Sequence, residues 1–332
     1  MGLFYSCVMR VSLMLNVMCF GEALIDFLPV DDGYQPMSGG APANVAVAVS
    51  KLGGSSFFVG GLSQDVMGQK LLSELKGYGV NCDNSLVVPN KTALVLVSLD
   101  KDGERSFQFY RDNTADQQVK ADSLKQIDWA KMHIFHFCSN TLTDEQSAEA
   151  TMFALQQIKH AGGIVSFDVN LRLSLWSAFA VNSKLVSEQI DRVWPYVDLI
   201  KLSSEELDYL AAANSMSSER FVDNILNKGV HCVLITDGPE LIRCFTKQAS
   251  TQFLPPKVKA VDTTAAGDSF VGGLLFQLSH AGSCLELVDW LSNTTTLETK
   301  LEFASKCGAY TVQRKGAFSA LPNKDNSMCF FV

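Results

Sequence analysis

The sequence predicts an α/β protein with a mostly parallel central sheet, helices on both faces, and a small β-sheet inserted as a lid. Two patterns carry this. Short apolar runs alternate with helical stretches through the middle and end of the chain, the order that parallel strands and crossover helices require. Two other segments, 27–38 and 86–111, alternate apolar with polar residues instead, as half-buried strands do. With 332 residues, 47% of them hydrophobic, the chain can fill a large core.

The apolar runs place strands at 17–24, 56–60, 133–138, 163–168, 197–202 and 231–236. Helices are expected over 42–52, 66–78, 144–161, 182–194, 204–213 and 218–228. Ligands of such sheets bind at the carboxyl ends of the strands. In the inserted segments Leu94, Leu96 and Ser98 are followed by Phe107, Phe109 and Arg111, with Asp100–Gly103 as a hairpin turn. A plain edge sheet is one reading. A lid that keeps water from a pocket is the other.

Residues 17–322 read as a single domain, preceded by a disordered appendage (1–16) and followed by a tail (323–332). The appendage is apolar and Met-rich with Arg10 as its only charge, and it lacks the early basic residue and small-residue cleavage site of a signal peptide. Met1-Gly2 with Ser6 fits a myristoylation pattern and Cys329–Val332 loosely fits a prenylation box. Both patterns are short, and frayed termini account for them better. No run reaches the roughly 18 apolar residues of a membrane helix, so no membrane partner is expected.

Net charge is −8 and the pI is about 5.2. Such a chain repels a nucleic-acid backbone at long range. It can still bind a small anion through a local nest of backbone N–H groups. The nine cysteines form no C-x-x-C pair, and their number is odd. Neither a disulfide framework nor a zinc site is expected, and reduced thiols point to a cytoplasmic protein.

Two segments carry chemistry. Residues 262–273 read DTTAAGDSFVGG. The small residues Ala265, Ala266 and Gly267 let backbone N–H groups approach an anion, and the amino end of a helix starting near Asp268 adds partial positive charge there. Asp268 is either a helix cap or a general base beside that anion. The string is not a P-loop, because no G-x-x-x-x-G-K-[ST] occurs. Residues 39–54 read GGAPANVAVAVSKLGG. Gly39 and Gly40 end a strand and permit close backbone approach. Asn44 enters a helix, where it caps or binds vicinal hydroxyls. Asp26, past the first strand, accepts two sugar hydroxyls or caps a turn.

GEALIDF (21–27), GGAPANVAVAVSKLGG (39–54), DGERSFQFYR (102–111), FDVNLRLSLW (167–176), KLSSEEL (201–207) and DTTAAGDSFVGG (262–273) follow one another in this order. Together they resemble the ribokinase-like (PfkB) carbohydrate kinases, and within them the fructokinases, over about residues 17 to 322. The resemblance implies a ribokinase-like fold and ATP-dependent phosphorylation of a hexose hydroxyl, with ATP and a sugar as partners. It implies Asp268 as catalytic base and the N–H groups of Ala265, Ala266, Gly267 and Asp268 as the anion hole. Asp26, Gly39, Gly40 and Asn44 match sugar contacts. Phe107, Phe109 and Arg111 match the lid strand over the sugar. Arg172 faces the phosphate-transfer region in relatives, or forms a buried salt bridge.

Ser203 and Glu206 match an N-x-x-E block whose Glu organises Mg²⁺ through water, with Ser203 in place of Asn. Thr236 and Gly238 match a turn beside the nucleotide, although Leu241 stands where a second Gly is usual. Asp262 and Thr264, with the loop 314–316, match a site for a monovalent cation such as K⁺. Relatives often dimerise through the lid sheet, so a homodimer is expected. The rivals are a kinase of 2-keto-3-deoxygluconate or of a ribosyl compound, and a silent binding relative. A dinucleotide-dependent dehydrogenase would need a G-x-G-x-x-G after the first strand, and 19–28 lack it.

Overall fold

The computed structural model describes residues 14–30, 32–99, 105–176 and 183–327. Its strands, in chain order, are β1 (Val17–Phe20), β2 (Leu24–Val30), β3 (Gly33–Gly39), β4 (Ser56–Val59), β5 (Gly61–Ser63), β6 (Leu86–Val88), β7 (Leu94–Leu99), β8 (Arg105–Tyr110), β9 (Ile134–Cys138), β10 (Ile164–Asp168), β11 (Leu199–Ser203), β12 (Cys232–Thr236), β13 (Ile242–Phe245) and β14 (Ser250–Phe253). The main sheet runs β14-β13-β12-β11-β10-β9-β1-β4. It is parallel from β4 to β12, and β13 and β14 add an antiparallel edge.

The strands β1, β9 and β10 are buried along their whole length, as expected of parallel strands covered on both faces. Their period of two sends alternate side chains into two cores. Val17 and Cys19 enter a core shared with helices Ala41–Lys51, Ala266–Leu278 and Thr294–Thr311. Met18 and Phe20 enter the opposite core, with helices Glu145–His160, Ser183–Asp191, Ser204–Ala213 and Ser218–Asn227. Strand order reverses between β1 and β9, and that switch point leaves a crevice above the carboxyl ends of both strands.

The lid sheet has order β3-β2-β7-β8. The segment read as one piece at 27–38 is an antiparallel pair, β2 with β3. The first strand ends at Phe20 rather than at 24, because Gly21 has φ of 145° and turns the chain toward the lid. Residues 86–88 leave the lid and pair with β5. The turn at 100–103 lies outside the described residues. β7 and β8, on either side of it, pair antiparallel as expected. Ahead of β1, the Leu15 N–H donates to the Ser279 carbonyl at 2.7 Å. Helices Cys284–Leu291 and Thr294–Thr311 were not expected from periodicity.

The helix Ala266–Leu278 starts from Ala265, which is left-handed at φ 57° and offers no side-chain cap. Ala tolerates this conformation at a cost of about 1 kcal/mol relative to Gly. Ala265→Gly is therefore expected to raise Tm by about 1–2 °C, measured by thermal unfolding, with no other change of structure. A lowered Tm would mean that the extra freedom of Gly in the unfolded chain outweighs the relieved strain.

Candidate active site

A cleft of about 470 Å³ opens where the lid meets the carboxyl ends of β1, β9 and β10, a size typical of small-molecule sites. Its walls include Asp26, Gly40, Asn44, Phe107, Phe109, Arg172, Ala265 and Asp268. The structure thus gathers residues up to 246 positions apart, from Glu22 to Asp268, into one cavity.

Two long helices begin here without a side-chain cap, Ala41–Lys51 and Ala266–Leu278. By contrast Val66–Gly77, Glu145–His160 and Ser204–Ala213 are capped by Asp65, Asp144 and Ser203. An uncapped amino end is a ready seat for an anion. Asp268 lies in the first turn, so it is not the cap. Its Oδ2 accepts a 2.7 Å hydrogen bond from Asn44 Nδ2, which links the two helices. Asn44 is likewise inside its helix rather than capping it.

Asp268 and Asp26 are both half-buried, and burial pushes each carboxyl up to about 7. For Asp268 the Asn44 hydrogen bond opposes that shift, the Asp168 charge adds to it, and Lys201 and Arg172 oppose it. For Asp26 the negative charge of Asp268 adds to burial. Arg172 is exposed at the cavity wall, not buried in a salt bridge, and its charge favours ionisation of both. Gly39 pairs with Leu24 at the end of β3. A β-carbon there would collide with Asp26 Oδ2, and one on Gly40 would meet the Glu22 carbonyl at 2.5 Å. Both glycines thus make room for the cavity floor.

Arg111 is placed differently from the sugar-facing role its motif implies. Its side chain is 4% exposed and pairs with Asp116 at 2.5 Å. It also donates to Thr143 Oγ1 at 3.1 Å and to the Asn140 carbonyl at 3.4 Å. It braces the cavity floor from behind and does not line it. Phe107 is 46% exposed and Phe109 half-buried, on the strand facing the cleft.

Glu22 and Asn140 were missed by the sequence reading, although both follow directly on core strands. Glu22 Oε1 accepts from Asn140 Nδ2 at 2.9 Å and from the Ala41 N–H at 3.3 Å. Glu22 Oε2, Asn44 Oδ1 and Asn140 Oδ1 are buried acceptors that no protein donor reaches. Lys201 and Asp168 were missed too. The signal was a charge inside each apolar strand run.

The residues expected beside a nucleotide stand along the next strand ends. Ser203 on β11 is in register with Thr236 on β12. Ser203 and Glu206 form a capping box: Ser203 Oγ accepts the Glu206 N–H at 3.1 Å and Glu206 Oε2 accepts the Ser203 N–H at 2.7 Å. Glu206 Oε1 accepts the Leu171 N–H at 2.6 Å. Each oxygen keeps a second lone pair, so a divalent ion fits through bridging water better than by direct ligation. Gly238 turns the chain after β12 at φ 51°. Asp262 is buried and accepts from the Thr264 N–H at 2.8 Å and the Gly316 N–H at 3.0 Å, tying two loops together behind the helix mouth.

The probable fructokinase-6, chloroplastic, of Arabidopsis thaliana is 40% identical over 318 residues, covering 93% of this chain and 80% of that one. A fructokinase of Xylella fastidiosa, crystallised with bound ATP, superposes with a TM-score of 0.89 at 36% identity, covering 95% of this chain and 98% of that one. A fructokinase of Vibrio cholerae O395, in a form with bound fructose, ADP and calcium ion, superposes with a TM-score of 0.85 at 34% identity, covering 96% and 99%. The family described as pfkB family carbohydrate kinase matches residues 14–324, and this chain belongs to that family.

Proposed function

We propose that this chain transfers the γ-phosphoryl group of ATP to a hydroxyl of fructose. The observation that carries the reading is Asp268: a carboxyl with a pKa near neutrality, held by Asn44 at the uncapped mouth of a helix that faces a cavity. The sugar oxygen attacks the γ-phosphorus in line, its proton passes to Asp268, the bond to the β-phosphate oxygen breaks, and ADP leaves. Charge that builds on the phosphoryl oxygens meets the N–H groups of Ala265, Ala266, Gly267 and Asp268, of which the Ala266 N–H, donating to the Thr263 carbonyl at 3.3 Å, must be shared with the phosphoryl group.

Asp26 accepts sugar hydroxyls from the lid side. The unsatisfied acceptors Glu22 Oε2, Asn44 Oδ1 and Asn140 Oδ1 suit a ligand rich in hydroxyl donors. A keto acid would instead bring a carboxylate to them, and the nearby buried cation, Arg111, is committed to Asp116. Phe107 and Phe109 close over the sugar and exclude water. Glu206 would hold Mg²⁺ through water, and the ion when bound would supply charge neutralisation to the phosphate oxygens. Ser203, Thr236 and Gly238 border the nucleotide. A monovalent cation such as K⁺ belongs at the loops that Asp262 and Thr264 join.

Two further proposals concern the whole molecule. The exposed Val30, Tyr34 and Tyr110 of the lid sheet support a homodimer through that sheet. The cysteines described are all free, which supports a reducing compartment such as the cytoplasm. Among the described residues no helix is long and apolar enough to cross a membrane.

Asp268→Ala is expected to lower kcat by about 10²–10⁴ with ATP affinity nearly kept, read by coupled ADP release with fructose. Activity within tenfold of wild type refutes the base. Asp26→Ala is expected to raise the KM for fructose far more than that for ATP, and equal effects on both would remove Asp26 from the sugar pocket. The base must be ionised in the free enzyme, so kcat/KM for fructose should fall on the acid side with an inflection near pH 7 and a slope between one and two, since Asp26 titrates alongside. A flat profile from pH 5.5 to 8 contradicts this.

A further inference from the structure

Beneath the helix mouth lies a buried charge that no step above uses. The pleat that sends Ile200 and Leu202 into one core turns Lys201 to the opposite face, toward the helix Ala266–Leu278. Asp168 of β10 stands beside it in register. Lys201 Nζ lies 3.1 Å from Asp168 Oδ1 and 3.3 Å from Oδ2. The side chains are 12% and 2% exposed. A β-carbon added to Gly267 would sit 3.4 Å from the same Nζ. The ammonium therefore abuts the second residue of the helix whose amino end receives the phosphoryl group.

A buried ion pair of this kind is a poor stabiliser, because desolvation of both charges consumes most of the attraction. Its placement suggests electrostatic work instead. Three carboxylates act on Lys201: Asp168 from β10, Glu206 from the helix Ser204–Ala213, and Asp268 from the helix Ala266–Leu278. His136 and Cys138 of β9 are further titratable neighbours. Burial, and then the Lys201 charge, hold His136 down at about 3, and burial pushes the Cys138 thiol up, so both are neutral. Without Lys201 an incoming triphosphate would meet uncompensated negative charge at this end of the sheet. The chain has no P-loop lysine to offset it.

Resting on the phosphoryl-transfer reading, we propose that Lys201 is a positioning residue whose ammonium, clamped by Asp168 under Gly267, supplies fixed positive charge behind the anion hole. It acts through the helix mouth and through Asp268, not by leaving Asp168. The same charge favours the ionised form of Asp268, so it serves both the arriving phosphoryl group and the base.

The test uses the full chain and the variants Lys201→Met, Lys201→Arg and Asp168→Asn/Lys201→Met. ADP release with fructose is followed from pH 5.5 to 9, and ATP and ADP affinities are measured by calorimetry without sugar. Lys201→Met should lower kcat by about 10–10³-fold, leave the KM for fructose within threefold, and move the acid limb of kcat/KM to higher pH. It should also weaken ATP about tenfold more than ADP. Lys201→Arg should keep the acid limb where wild type has it. If Lys201→Met does not fold, the double variant removes the unpaired carboxylate. Its kcat and its ATP-to-ADP preference should both still drop.

A kcat within threefold of wild type, with the acid limb unmoved in Lys201→Met or the nucleotide preference unchanged in the double variant, would make Lys201 a mere brace. Wild type that releases no ADP with fructose would instead sink the functional reading. In that case the nucleotide preference alone decides the role of Lys201.

Discussion

The hydrogen bond from Asn44 to Asp268 joins two helices that start far apart in sequence and meet at their uncapped amino ends. Its 2.7 Å length depends on how closely those helices pack. Gly272 supplies the close approach, since a β-carbon there would collide with Ala48, and a β-carbon on Gly273 would meet Cys307 Sγ at 2.7 Å. The small residues of both motifs are thus packing devices as much as phosphate cradles. They set the distance at which an amide orients a carboxyl and leave neighbouring backbone donors for a ligand.

Around that contact the protein concentrates negative charge. Glu22, Asp26, Asp168, Asp262 and Asp268 all lie at or near the carboxyl edge of the sheet, and burial raises Glu22, Asp26 and Asp268. Two cations are buried behind the cavity to hold this arrangement, Arg111 behind Asn140 and Lys201 beneath the helix mouth. Arg172 stays exposed at the cavity wall. The division leaves the pocket floor rich in acceptors and the helix mouth rich in donors. A polyol and a phosphate require those two surfaces side by side.

The lid illustrates how local pattern can mislead. Alternation over 27–38 and 86–111 identified half-buried strands correctly, yet it could not show that 27–38 doubles back on itself or that 86–88 pairs elsewhere. Pairing is decided by long-range register. The parallel contact between β2 and β7 has no signature in either segment alone. Arg111 is a similar case. It ends an aromatic lid strand, but Asp116, five residues on, turns back and captures it. Helix Thr294–Thr311 escaped notice because Thr and charged residues dilute its apolar face, and Cys284–Leu291 because eight residues give little periodicity to read.

The sequence by itself determined the alternation of strands and helices, the family, and the residues of both glycine- and alanine-rich helix starts, because these are written in local periodicity and contiguous motifs. Tertiary structure alone decided which carboxyls share a cavity, which acceptors are left without donors, and which cations are spent inside. Those outcomes follow from desolvation and charge proximity, which exist only after segments hundreds of residues apart are brought within a few ångströms. Lys201 shows the difference most directly: in the chain it is one charge in a strand, and in the fold it lies under Gly267, 3.1 Å from Asp168.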